Sequence, residues 1–139
     1  MTIYDALKRA SAQMYGGEAQ TDDLEDEEIL ALYMQYAQEA FRRVWRRYDP
    51  IDPGALPAIV RLPCPEVNQD TELDEYGAAA YDAIADFVTW RMFGTGNMSK
   101  QQRGEWFYAR FIDDLGRVER AAAWEGIAGD GQFTNIYTF

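Results

Sequence analysis

The sequence predicts a mainly α fold: a helical bundle of about four helices with a long Pro-rich loop and an extended, β-prone C-terminal arm. Three observations carry this expectation. Apolar residues recur at helical spacing in four segments, each closed by glycine or proline. All five prolines fall between residues 49 and 75. The last eight residues hold no charged side chain and carry aromatics at positions that share one face of a strand.

Thr2 and Asp5 form a capping-box pattern, and Ile3, Leu7, Ala10 and Met14 follow at helical spacing before Gly16-Gly17. This predicts a helix over about residues 3–15. Residues 18–24 read as a polar, acidic connection. From Asp26 to Arg47, an apolar face runs through Ile29, Leu32, Tyr33, Tyr36, Ala40, Val44 and Tyr48. Glu39 and Arg43 sit four apart in the favourable orientation for an ion pair. Asp49-Pro50 ends this second helix, because proline pushes the residue before it out of the α region.

Pro50, Pro53, Pro57, Pro63 and Pro65 forbid a helix across 49–75. Residues 58–62, Ala-Ile-Val-Arg-Leu, could form one short strand inside an ordered loop. A third helix is expected from Asp74 to Phe93, apolar around much of its circumference and therefore central. Gly94-Thr95-Gly96-Asn97 closes it. Ser99 with Gln102 then suggests a capping box for a fourth helix over 100–123, with apolar positions at Trp106, Phe107, Ala109, Phe111, Ile112, Leu115 and Val118. Gly104 and Gly116 weaken that helix, and Gly116 is where it could break.

The expected organisation is a bundle domain over 1–125 and a hinge and arm over 126–139. Gly126, Gly129 and Gly131 supply the hinge, and Phe133, Tyr137 and Phe139 line one face of the arm. Two readings of the arm stand side by side. It pairs with residues 58–62 of its own chain, or it adds as a strand to another subunit.

Composition narrows the chemistry. The 139 residues include no histidine and one cysteine, against four Trp, nine Tyr and seven Phe. Ser-His-Asp and Cys-His machinery and His-containing zinc sites are thereby excluded. Cys64 lacks a histidine to activate it and reads as structural. One cysteine permits no intrachain disulfide, and the opening residues lack a signal-peptide pattern, which argues against secretion. No apolar run reaches the length of a membrane span, so no membrane partner is expected. A net charge of −11 favours solubility and limits nucleic acid to local contact at most.

That charge is segregated. Glu18, Asp22, Asp23, Glu25, Asp26, Glu27 and Glu28 form an acidic stretch, followed by the basic cluster Arg42, Arg43, Arg46 and Arg47. One reading is complementarity to the helix macrodipole. The other is head-to-tail association, the acidic end of one subunit meeting the basic end of the next. Asp82 and Asp86, with Asp113-Asp114, could face each other and bind Mg²⁺, as in all-α nucleotide pyrophosphohydrolases. Asp82 and Asp86 are expected instead to pair with Arg91, Arg110 or Arg117, or to face water. Gly94–Asn97 has no following Lys-Ser/Thr and reads as a helix–helix turn.

Leu73-Asp74-Glu75-Tyr76, then Ala83-Ile84-Ala85-Asp86-Phe87-Val88 with Arg91, then the Gly/Asn turn, then Phe107-Tyr108-Ala109-Arg110-Phe111 resembles tailed-phage head–tail adaptor (neck) proteins. The likeness covers about residues 70–118; the acidic stretch and the Pro-rich loop have no counterpart in it. It implies a non-enzymatic helical bundle that assembles as a ring at the portal, with an extended terminal arm that docks there. The expected partners are its own subunits and the portal and tail-completion proteins, in a virion assembled in the bacterial cytoplasm. No cofactor and no metal are expected. The expected partner-binding residues are Arg42, Arg43, Arg46, Arg47, Phe133, Tyr137 and Phe139. The alternatives are an acidic partner-binding protein that mimics DNA charge, or a metal-dependent nucleotide hydrolase.

Overall fold

A computed structural model describes residues 1–16 and 21–129, without the side chains of 21, 22 and 124–129. The fold is mainly α, a helical bundle. Five α-helices occur among the described residues: α1 (Ile3–Met14), α2 (Thr21–Glu25), α3 (Glu27–Tyr48), α4 (Ala78–Phe93) and α5 (Met98–Gly129).

Helix α1 begins on the expected capping box. The Asp5 amide donates to the Thr2 hydroxyl (3.2 Å) and the Thr2 amide donates to the Asp5 carboxylate (2.9 Å). Ile3, Ala6, Leu7 and Ala10 are fully buried. The polar connection expected over 18–24 is partly helical, because Leu24 is buried and pins α2 against the bundle. Asp26 then caps α3, accepting from the amides of Glu28 and Ile29. Tyr33, Tyr36, Ala37, Ala40, Phe41 and Val44 form its buried stripe. Asp49, in the left-handed region at φ 48°, ends it before Pro50.

The Pro-rich loop is ordered and docked. The Trp45 indole donates to the Leu62 carbonyl (3.0 Å), and the Val67 amide donates to the Gln38 side chain (2.9 Å). The strand expected over 58–62 does not form. Those residues meet 50–52 at one isolated bridge, Ile51 with Arg61, flanked by two backbone hydrogen bonds. Pro50 and Pro63 bracket that contact, and neither has an amide hydrogen with which to extend a ladder. At its far end the loop clamps the start of α1. The Ile3 amide donates to Thr71, and the Leu73 amide donates to Met1.

The third predicted helix is interrupted at its start. Asp74–Tyr76 forms a single 3₁₀ turn, and Gly77 adopts φ 88° before α4 begins. A left-handed residue there breaks the α-helical path. Helix α4 is central as expected, packed against α1, α3 and α5, with Ala80, Ala83, Ile84, Phe87 and Val88 fully buried. The cap of α5 is Asn97 rather than Ser99, since the Lys100 amide donates to the Asn97 side chain (3.0 Å). No break occurs at Gly116, and α5 continues through Gly126 to Gly129. Gly104 is buried where α5 crosses α4. A Cβ there would lie 2.9 Å from the Phe93 Cβ and 3.3 Å from the Trp90 carbonyl oxygen. The contact requires a glycine, which accounts for its place inside a long helix.

Two details of the predicted surfaces differ. Trp106 and Ile112, assigned to the apolar face of α5, are 60% and 45% exposed, leaving Phe111, Leu115 and Val118 in the core. Glu39 pairs with Arg91 across the α3–α4 contact (3.7 Å) instead of with Arg43. Arg43 lies instead over the Phe87 ring, 5.1 Å from its centroid.

Candidate functional site

The carboxylates singled out in the sequence converge between α1, α4 and α5. Asp82 receives Arg9 from α1 and Arg117 Nη2 from α5, the latter at 2.6 Å. Asp86, fully buried, accepts from the Gln13 side-chain amide (3.3 Å) and pairs with Arg110 (3.6 Å). Asp114 pairs with Arg117 (3.1 Å). Asp113 is exposed on the other side of α5. Arg110 and Arg117 are thus partners as expected, whereas Arg91 is engaged by Glu39 and stacks on Tyr36. Arg9 and Gln13 went unnoticed in the sequence. Their spacing of four, which puts both polar side chains on one side of α1, is the signal that marks them.

The electrostatics of this cluster are divided. Burial opposes ionisation of Asp82, but the hydrogen bonds from Arg117 and Arg9 outweigh it and hold the carboxyl below its ordinary range. Burial, and after it the neighbouring Asp86, together push the Asp114 carboxyl up to about 8 against the opposing charge of Arg117. One buried oxygen on each of Asp86 and Asp114 lacks a hydrogen-bond partner. Among the described residues, no three Asp, Glu or Cys side chains are placed to hold a metal ion. Arginines occupy the positions around these acids, and the cluster ties three helices together.

The remaining candidate residues lie on the surface. Arg42, Arg43, Arg46 and Arg47 are all exposed along the C-terminal half of α3. Arg47 donates to Glu119 of α5 (2.9 Å). Arg42 and Arg46 have no carboxylate partner among the described residues. A hollow of about 270 Å³ runs between α3 and α5, lined by Arg43, Arg46, Arg47, Ile112 and Leu115. Glu25, Asp26, Glu27 and Glu28 are exposed at the opposite end of α3, at one corner of the bundle. Phe133, Tyr137 and Phe139 lie outside the described residues, as does the expected arm from residue 130 on.

The loop contributes a further surface. Ile51, Leu56, Ile59, Val60 and Leu62 are exposed, Ile59 to 70%. Cys64, at the base of this loop, is half-buried; burial raises its thiol and Arg42 acts in the opposite direction. No helix of the described residues is long and apolar enough to cross a membrane. No protein-family model, curated protein or solved structure matches this chain.

Proposed function

We propose that this chain is a structural protein of a phage or prophage head–tail junction. In this reading it is an adaptor that assembles as a ring of its own copies on the portal, and it works by contact rather than by catalysis. The observation that carries the reading is the apolar loop surface. Five large apolar side chains, Ile51, Leu56, Ile59, Val60 and Leu62, stand in solvent within twelve residues of an otherwise docked loop. Fully burying a large aliphatic side chain is worth about 1.5–3 kcal/mol, and covering the part of each that is still exposed gains a share of that, so several such side chains in one loop favour a protein contact.

Two further features support it. The adaptor-like residues from Leu73 to Phe111 fall on one unit, the 3₁₀ turn, α4, the glycine turn and the first half of α5. Of the acids that a metal-dependent hydrolase would require, Asp82, Asp86 and Asp114 are each engaged by an arginine, and Asp113 is exposed apart from them.

The reading requires a portal gene beside the gene of this chain. The absence of one removes the adaptor, and the portal protein that such a gene encodes supplies the test. Mixing the two should yield a complex by gel filtration and added ring density at one end of the portal by electron microscopy. Ile59→Asp with Val60→Asp should abolish docking while leaving helical content and melting temperature unchanged, because both side chains face solvent. A portal that neither co-elutes with the wild type nor gains density removes the adaptor reading.

A further inference from the structure

We propose that the arginine face on the C-terminal half of α3 is a docking surface for a second copy of this chain, whose acidic α2–α3 corner it receives. The contact names the subunit interface of the ring and rests on that part of the function proposed above.

Charge complementarity carries the argument. Arg42 and Arg46 are exposed cations with no carboxylate partner among the described residues, and Glu25, Glu27 and Glu28 are exposed anions in the same position. One molecule cannot satisfy both sets. Glu27 and Arg46 are separated along α3 by about 28 Å at 1.5 Å per residue. That exceeds the screening length of about 8 Å at physiological salt several-fold. The opposite charges are therefore invisible to each other within a copy and available between copies.

The macrodipole accounts for only part of the pattern. Its influence fades within the last turn of a helix. Arg46 and Arg47 lie in the last turn of α3, but Arg42 and Arg43 lie earlier. Arg43 is supported by the Phe87 ring, and Arg47 by Glu119. Arg42 has neither, in a chain where Asp and Glu outnumber Lys and Arg 24 to 13. Arg9, Arg91, Arg110 and Arg117, at the contacts between helices, all reach an acid of their own chain. Ile112, 45% exposed beside Arg43, Arg46 and Arg47, gives the face an apolar centre. An apolar centre rimmed by charge is the usual build of a protein contact. Because the two patches differ, the contact is heterologous, and it propagates into a closed ring or an open filament.

Complementary charge reversal tests it. One variant carries Arg42→Glu and Arg46→Glu; the other carries Glu27→Lys and Glu28→Lys. Self-association is measured by analytical ultracentrifugation up to millimolar protein at about 0.15 M salt, where screening is physiological. The wild type should associate, and each variant alone should associate more than about tenfold more weakly, since like charges then face each other. An equimolar mixture should regain association, because each reversed patch meets its reversed counterpart. The Glu→Lys variant reduces the net repulsion between copies, so its failure to associate cannot be a net-charge effect. Circular dichroism confirms that both variants fold.

A wild type monodisperse at millimolar concentration overturns the proposal, as does a mixture that fails to recover. Binding of labelled duplex DNA that is lost with Arg42→Glu/Arg46→Glu, with no self-association, overturns it in favour of a polyanion surface. Portal docking by the charge variants, measured separately, distinguishes the two readings. Docking without self-association sinks this contact alone, and self-association without docking sinks the adaptor and leaves this contact standing.

Discussion

Replacing Asp114 with Asn should flatten the pH dependence of stability in a window where this histidine-free chain has little else to titrate. Asp114 is 7% exposed, and its unpartnered oxygen lies in the same buried cluster as the unpartnered oxygen of Asp86. Burial and Asp86 push its carboxyl up to about 8 from an ordinary 3.8. The folded protein therefore holds a proton at pH 7 that the unfolded chain has released. Where the native state binds the extra proton, stability falls as pH rises, by about 1.4 kcal/mol per pH unit. The contribution is fully present below about pH 4 and is lost as pH climbs toward 8. Between pH 5 and 7 the wild type should lose up to about 2.7 kcal/mol from this source. That is a large part of the roughly 5–15 kcal/mol that stabilises a domain. Asp82 and Asp5, both held below the ordinary range, act only in more acidic solution and do not mask the effect. The carboxamide of Asn carries its hydrogens at every pH, so the variant should lack the slope. Urea unfolding followed by circular dichroism at pH 5, 6, 7 and 8 measures both proteins. Parallel pH profiles for the two would refute the reasoning, because they would place the carboxylate charge in water rather than beside Asp86.

The glycines of α5 should respond in opposite directions. Gly104→Ala gains about 1 kcal/mol of helix propensity but drives a Cβ to 2.9 Å from Phe93, an overpacking cost of about 1–3 kcal/mol. Its melting temperature should fall, and a rise would remove the close-approach explanation. At Gly116 a Cβ meets only the end of the Arg120 side chain at 3.4 Å, so Gly116→Ala should raise the melting temperature. Gly77→Ala places a side chain at φ 88° and should cost about 1–3 kcal/mol. An unchanged melting temperature there would mean that the start of α4 relaxes freely.

The elements that local rules govern were legible in the sequence. Thr2 and Asp5 fixed the start of α1 through bonds between neighbours, and Asp49-Pro50 fixed the end of α3. What escaped depends on residues far apart in the chain. Arg9 meets Asp82 and Glu39 meets Arg91 only after α4 has packed, and helical spacing favoured Arg43 for Glu39. The 58–62 segment has strand composition, but its partner residues 50–52 begin with a proline, and no strand is present among the described residues to extend the single bridge into a sheet. Gly104 looked like a weakness because propensity counts the helix alone, whereas the neighbouring Phe93 decides the residue. For the candidate contact residues, the arginine spacing placed all four on exposed turns of α3. Their free or engaged state was invisible, since Phe87 and Glu119 come from other helices.

The C-terminal half of α3 bears two surfaces at once, and this governs how its residues must be probed. Trp45 holds the apolar loop through Leu62, and Gln38 holds it through Val67, while Arg42 and Arg46 project from the same half of the helix. A substitution at Trp45 would release the loop and disturb the arginine register together, because its ring also packs against Phe41 and Tyr76. Loss of assembly in such a variant would name neither surface. Arg42 and Arg46 have no ion-pair partner among the described residues, and Ile59 and Val60 stand in solvent, so changes there leave the packing of α3 intact. Two losses that segregate between these pairs would establish two separate contacts. A common loss at both pairs would mean that the loop and the arginine face form one continuous interface.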